Sequence, residues 1–151
     1  MVVRLYEAYY QRPPDVAGYD YWVGRRLAGM TPDAMSAAFS GTPEFRTMYG
    51  TLTNRQFVDR VYLNVLKRSA SSADLAYWAG ELDAGRRNRG QVMLAFSETA
   101  ENRARTASRV DSVLLCRAAN GTIPARAYLD ELDDYVARGW APTVLYLAML
   151  L

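Results

Sequence analysis

The sequence predicts an all-α fold, a compact helical domain of two tandem three-helix repeats followed by a degenerate third copy. The first observation is a self-match at a shift of 56 places, which pairs Arg4 with Arg60, Tyr6 with Tyr62, Arg12 with Arg68, Tyr21 with Tyr77 and Trp22 with Trp78. After small adjustments Gly29 pairs with Gly85, and at a shift of 57 Phe39, Ser40 and Glu44 pair with Phe96, Ser97 and Glu101. A unit of that length that recurs is a stacked supersecondary unit. The second observation is period: Phe57, Val58, Val61, Tyr62, Val65 and Leu66 recur at three and four places. That is the stripe of a helix facing a core, and the period of two expected for strands is absent.

The elements follow in chain order from local chemistry. Within the second repeat, Thr53 stands three places before Gln56, a capping box that satisfies two orphan amides at the start of the first helix. Asp15 and Ser71 occupy equivalent places before the next helix and are both good N-caps. With that cap kept, the second copy dispenses with Pro13 and Pro14. Gly29 and Gly85 fall where a helix ends in a left-handed residue, the conformation glycine adopts most easily. "TPDAM" after Gly29 and "TPEF" from Thr42 each offer an N-cap with proline in the first turn, and a shorter third helix closes with a Ser-x-x-x-Glu segment.

This divides a single domain, 1–151, into repeat one (2–50), repeat two (53–108) and a degenerate third copy (110–151). In the third copy "LLCR", Leu114–Arg117, stands for "YYQR", "AYLDELDDYVARG" for the second helix and "APTVLYLAMLL" for the third, a buried helix. Its turn, "AANGTIPA", is longer. Each copy alone is too small to bury its apolar face, so the copies are expected to pack as one core.

Composition narrows the chemistry. Half of the 151 residues are hydrophobic and 23% charged, the balance of a folded domain that buries a core. The 18 basic and 16 acidic residues are interleaved, for a net charge of +2, which speaks against nucleic acid or an anionic membrane as partner. Arg86, Arg87 and Arg89 sit among Gly85, Asn88 and Gly90 and read as a solvated loop. With no histidine and one cysteine, the chain cannot by itself build a Ser-His-Asp triad, a Cys-His nucleophile, a histidine-containing zinc site or an internal disulfide. Cys116, in "VLLC", reads as a small buried hydrophobe. No residue set nominates a catalytic site, a metal site or a cofactor. Met1 leads at once into the amphipathic pattern, so no signal peptide is visible and the chain is expected to be part of a longer polypeptide. "VLYLAMLL" is too short for a membrane span, which needs about 20 apolar residues.

The recurrent residues admit a functional and a structural reading. Trp22 and Trp78 could stack on sugar rings, but Trp22 shares a helical stripe with Tyr19, Val23 and Leu27, and Trp78 with Leu75, Ala79 and Leu82, which places both in the core. Arg12 and Arg68 close the first helix of each repeat and are expected to pair with Glu44 and Glu101 rather than with a substrate. Asp130, Glu131, Asp133 and Asp134 lack the glycine turn of a calcium loop. They read as the wet face of a helix that turns Leu129, Leu132 and Val136 inward. No carboxylate pair of the glycosidase kind stands out. Eleven tyrosines exceed what a core needs, and Tyr9, Tyr10 and Tyr49 lie near turns where a groove between units could open. Those three are the candidate ligand-binding residues, with the rim of a helical core as the alternative.

"LYEAYYQRPPDVAGYDYW", "VYLNVLKR" and "GQVMLAFSETAENR" resemble the bacterial domain-of-unknown-function family numbered 4214, whose pattern is Y-x-x-x-L/F-x-R-x-P-D-x-x-G-x-x-Y-W, a glycine-ended helix, then F-x-x-S-x-E. The resemblance runs over nearly the whole chain. The second unit departs from it at Ser69, Ser71 and Asp74, and the third keeps little beyond helix phasing. Such a resemblance implies an accessory module of secreted, S-layer or RTX-type proteins, similar in pattern to the phycobilisome linker domain, with no active-site residues to carry over. The expected function is therefore non-catalytic binding or anchoring, extracellular or at the cell surface, with envelope polysaccharide as the leading ligand. The alternatives are a protein–protein scaffold of linker type and, more weakly, a carboxylate-dependent hydrolase. The expected partners are an envelope glycan or an envelope protein.

Overall fold

The computed structural model describes residues 1–139 and 141. Its regular structure among these is ten α-helices and one π-helical turn, with no strand, so the fold is all-α. Helix α1 (Val2–Tyr10) ends on Gln11 in the left-handed conformation, φ 56°. Asp15 then accepts the Gly18 amide at 2.8 Å and starts α2 (Val16–Leu27), which closes through Gly29 at φ 93°. Thr31 caps α3 (Pro32–Ser40) and Thr42 caps α4 (Pro43–Tyr49), each followed by proline in the first turn.

The capping box of Thr53 and Gln56 starts α5 (Asn54–Val61), which runs on as a π-turn, Tyr62–Leu66, and stops at Lys67, again left-handed at φ 57°. Ser71 caps α6 (Ser72–Asp83), which turns through Gly85 at φ 65°. A second capping box, Asn88 with Gln91, opens α7 (Arg89–Ser97), and Thr99 caps α8 (Ala100–Arg105). The chain continues in α9 (Ala107–Asn120) and α10 (Arg126–Ala137).

Two expectations change. Residues 2–50 hold four helices rather than three, and residues 53–108 hold α5 with its π-turn, α6, α7 and α8 and the start of α9. After α3 the chain breaks at Gly41 and Thr42 recaps it, so the "TPEF" segment becomes a helix of its own, and Thr99 does the same for α8. In the last stretch, α9 passes through Arg117 to Asn120, so "LLCR" is not a helix end as "YYQR" is. From Pro142 onward "APTVLYLAMLL", together with Trp140, lies outside the described residues.

Packing follows from α1. Eight of its nine residues are buried, because α2, α3, α4, α7 and α9 all lean on it. The main core joins Leu5, Tyr9, Met35, Phe39, Phe57, Val58 and Met93, each such side chain contributing about 1.5–3 kcal/mol. A second, smaller cluster of Val3, Val113, Leu129 and Leu132 fastens α9 and α10 to α1. The described part thus has two hydrophobic clusters instead of the single one expected.

The half-buried tryptophans pack alike, Trp22 on Phe39 at 4.9 Å and Trp78 on Phe96 at 5.1 Å. Arg12 reaches Glu44 at 3.1 Å and Arg68 reaches Glu101 at 2.7 Å, and each guanidinium also lies over a tyrosine, Tyr6 or Tyr62. Gly18 has a specific role, since a Cβ there would stand 2.4 Å from the Tyr6 hydroxyl.

Candidate functional site

No groove opens at the tyrosines singled out from sequence. Tyr9 and Tyr49 are 0% exposed and Tyr10 9%. The Tyr9 hydroxyl meets Ser36 Oγ at 2.6 Å and donates to the Ser36 carbonyl at 3.0 Å, while Ser36 Oγ donates to the Gly90 carbonyl at 2.9 Å. Tyr10 is bonded to Thr42, and Tyr49 accepts from Asn64 at 2.9 Å. The Tyr9 and Ser36 bonds are interior and hold α1, α3 and α7 together, while the part-buried bonds of Tyr10 and Tyr49 tie α1 to the cap of α4 and α4 to the π-turn. An α1 enclosed on nearly every side leaves its tyrosines nowhere to point but inward. Among the described residues the tyrosines that face solvent are Tyr21 and Tyr77, both 57% exposed, edge-on to Trp22 and Trp78.

A polar feature of the described surface lies where the ends of α1 and the π-turn meet α8, α9 and α10. A cleft of about 280 Å³ opens there. One wall is an ion-pair cluster around Arg109, which is only 8% exposed. Its guanidinium donates to Asp133 at 2.6 Å and to Asp130, and faces Glu7 at 3.5 Å. Burial works against the Arg109 charge, but the hydrogen bonds of Asp130 and Asp133 outweigh it and hold the group firmly cationic. Burial pushes the Glu7 carboxyl above its ordinary range despite the pull of Arg109. The acidic stretch on α10 is thereby committed: Asp130 and Asp133 serve Arg109, and Arg126 stands 3.5 Å from Asp130. Among the described residues no group of three or more acidic or thiol side chains is arranged to hold a metal.

The other wall is different. Gln11 and Lys67, 56 places apart in sequence, meet head to head, Lys67 Nζ donating to Gln11 Oε1 at 2.6 Å. They are the non-glycine residues with positive φ in the described chain. That conformation costs a residue with a Cβ about 1–2 kcal/mol, and glycine is its usual occupant at a helix end. Arg105 completes this wall, donating to the Val65 carbonyl and to Asn102 Oδ1, each at 3.0 Å. Neither Lys67 nor Arg105 forms an ion pair with a carboxylate among the described residues. Desolvation and the nearby Arg105 lower the Lys67 ammonium, and burial lowers Arg105.

Sequence reasoning nominated none of these cleft residues. Gln11 and Lys67 carried the one available signal, a polar residue in each copy where glycine is cheapest.

A second hollow, apolar and about 230 Å³, lies between Val23, Leu27, Val110 and Leu114, with Leu27 84% exposed. No helix among the described residues is long and apolar enough to cross a membrane.

Residues 35–106 match the family model of a domain of unknown function, DUF4214. The match runs from α3 to the end of α8, a shorter stretch than the sequence resemblance suggested. It includes Lys67 and Arg105 and leaves Gln11 and Arg109 outside. No curated protein matches the chain, and no solved structure does.

Proposed function

We propose, from a chain whose residues 35–106 are a DUF4214 segment, a non-catalytic binding and anchoring module of an extracellular or cell-surface protein that takes a polar portion of an envelope polysaccharide in the cleft. The observation that carries this reading is the cleft itself, an open hollow lined by side chains such as Lys67, Gln11, Arg105 and Asp133 rather than by apolar ones. Convergent donors and acceptors in a concave site fix a polar ligand by hydrogen bonds. The paired acids of the cleft, Asp130 and Asp133, already serve Arg109, which supports a non-catalytic role. The test is retention of the purified protein on isolated envelope polysaccharide. Saturable retention that Lys67→Met weakens supports the reading, and the absence of retention on any polysaccharide fraction overturns it.

A second reading, a protein–protein scaffold of linker type, draws on the apolar hollow at Leu27 and Leu114, since exposed apolar surface beside polar rims marks protein contacts. Under that reading Leu27→Asp abolishes capture of an envelope protein and leaves polysaccharide retention unchanged.

A further inference from the structure

The geometry points to Lys67, Arg105 and Gln11 as the receptor of an anionic oxygen group, a carboxylate or phosphate borne by the bound polymer. This rests on the polysaccharide reading of the same cleft and names the chemistry of its ligand.

The charges of the cleft are out of balance. Lys67, Arg105, Arg109 and Arg126 line the cleft against Glu7, Asp130 and Asp133, four cations to three acids. The acids are unevenly shared. Arg109 contacts all three and Arg126 one, whereas among the described residues Lys67 and Arg105 hydrogen-bond only neutral oxygens, those of Gln11, Val65 and Asn102. Arg105 acts on Lys67 as a like charge, and a ligand anion between two cations that no acid bonds directly relieves that repulsion while gaining charge-assisted hydrogen bonds. Burial weakens the hold of both groups on their protons, and the nearby Glu7 carboxylate offsets this only in part.

The backbone is strained at the same place. Lys67 holds a left-handed conformation that glycine would hold without strain, and among the described residues its ammonium bonds Gln11 alone. Strain kept at a position whose side chain contributes little to the fold is a mark of function. The Gln11 side-chain amide donates to the Glu7 and Ala8 carbonyls, which turns its oxygen toward Lys67 and sets the ammonium in place.

The experiment titrates the ¹⁵N-labelled protein with four probes: a hexuronate oligomer, a glycerol-phosphate oligomer, a neutral glucan oligomer of equal length, and inorganic phosphate. Each is repeated with Lys67→Met, Lys67→Gly, Arg105→Gln and, as a charge control, Arg55→Gln. Lys67→Gly removes a strained backbone and a single hydrogen bond, so it folds even if Arg105→Gln does not. The expected result is saturable shifts at Lys67 and Arg105 with one or both acidic oligomers, about ten- to hundredfold weaker in the Lys67 variants and little changed by Arg55→Gln. The preferred oligomer separates carboxylate from phosphate. Equal binding of the neutral oligomer, indifferent to Lys67, overturns the anion receptor and leaves the polysaccharide reading standing. Phosphate shifts at the cleft with no oligomer bound uphold the receptor and remove the polysaccharide. No shift with any probe overturns both.

Discussion

Replacing Tyr9 by phenylalanine removes one hydroxyl from the centre of the molecule, and its cost can be worked from the contacts. The hydroxyl is fully buried and bonds Ser36 Oγ at 2.6 Å and the Ser36 carbonyl at 3.0 Å. Ser36 keeps its own bond to the Gly90 carbonyl, so no donor is orphaned and the loss is that of one or two net hydrogen bonds, about 1–2 kcal/mol. For a domain of this size each kcal/mol lowers Tm by about 2–4 °C, so a fall of about 2–8 °C is expected. Tyr9→Ala also removes a ring 5.3 Å from both Phe39 and Phe45, and costs about 3–5 kcal/mol. Thermal and urea unfolding followed by circular dichroism measure both. Burial pushes the Tyr9 phenol well above its ordinary value, so it ionises only on unfolding. Unchanged stability in Tyr9→Phe, or normal phenol ionisation of Tyr9 in the folded protein, refutes the interior placement.

Three further outcomes are expected. Burial raises the Glu7 carboxyl above its ordinary value of 4.5; a raised acid stabilises the fold while protonated, and that contribution is lost as pH rises from about 4.5 through the folded value. Glu7→Gln therefore raises Tm at pH 7 with a gain that vanishes near pH 4, and a lower Tm at pH 7 would show the charged Glu7–Arg109 pair to be net stabilising. Gly18→Ala drives a Cβ against the Tyr6 hydroxyl at 2.4 Å, and is expected to cost about 1–3 kcal/mol; a wild-type denaturation midpoint would mean that Tyr6 moves freely. Arg12 and Glu44 are 40% and 42% exposed, so a double-mutant cycle is expected to give a coupling of about 0.2–1 kcal/mol that shrinks in high salt. A coupling above about 2 kcal/mol would make the pair a principal anchor of α4.

Much of the fold was legible because its signals are local. The N-caps at Asp15, Thr31, Thr42, Thr53 and Ser71 all bond the amide three places on, and the glycines at 29 and 85 are left-handed. The Arg12–Glu44 and Arg68–Glu101 contacts could be inferred because both partners recur together. What could not be read was what surrounds α1. A helix enclosed on nearly all sides carries tyrosines that look like surface residues in a one-dimensional pattern, and only the neighbours α3, α4 and α7 put Tyr9 and Tyr10 inside. The cleft was hidden for a related reason. Glu7, Lys67, Arg105 and Arg109 come from four elements spread over 102 positions, and each alone resembles an ordinary surface charge. The family resemblance supplied no help there, since it implies no residue roles.

The most direct measurement compares retention of wild type, Lys67→Met and Tyr9→Phe on isolated envelope polysaccharide under identical salt. If the cleft is the binding site, Lys67→Met loses retention with its Tm intact, while Tyr9→Phe loses several degrees of Tm and keeps its retention. Equal retention of all three proteins, or loss confined to Tyr9→Phe, contradicts the placement of binding in the cleft.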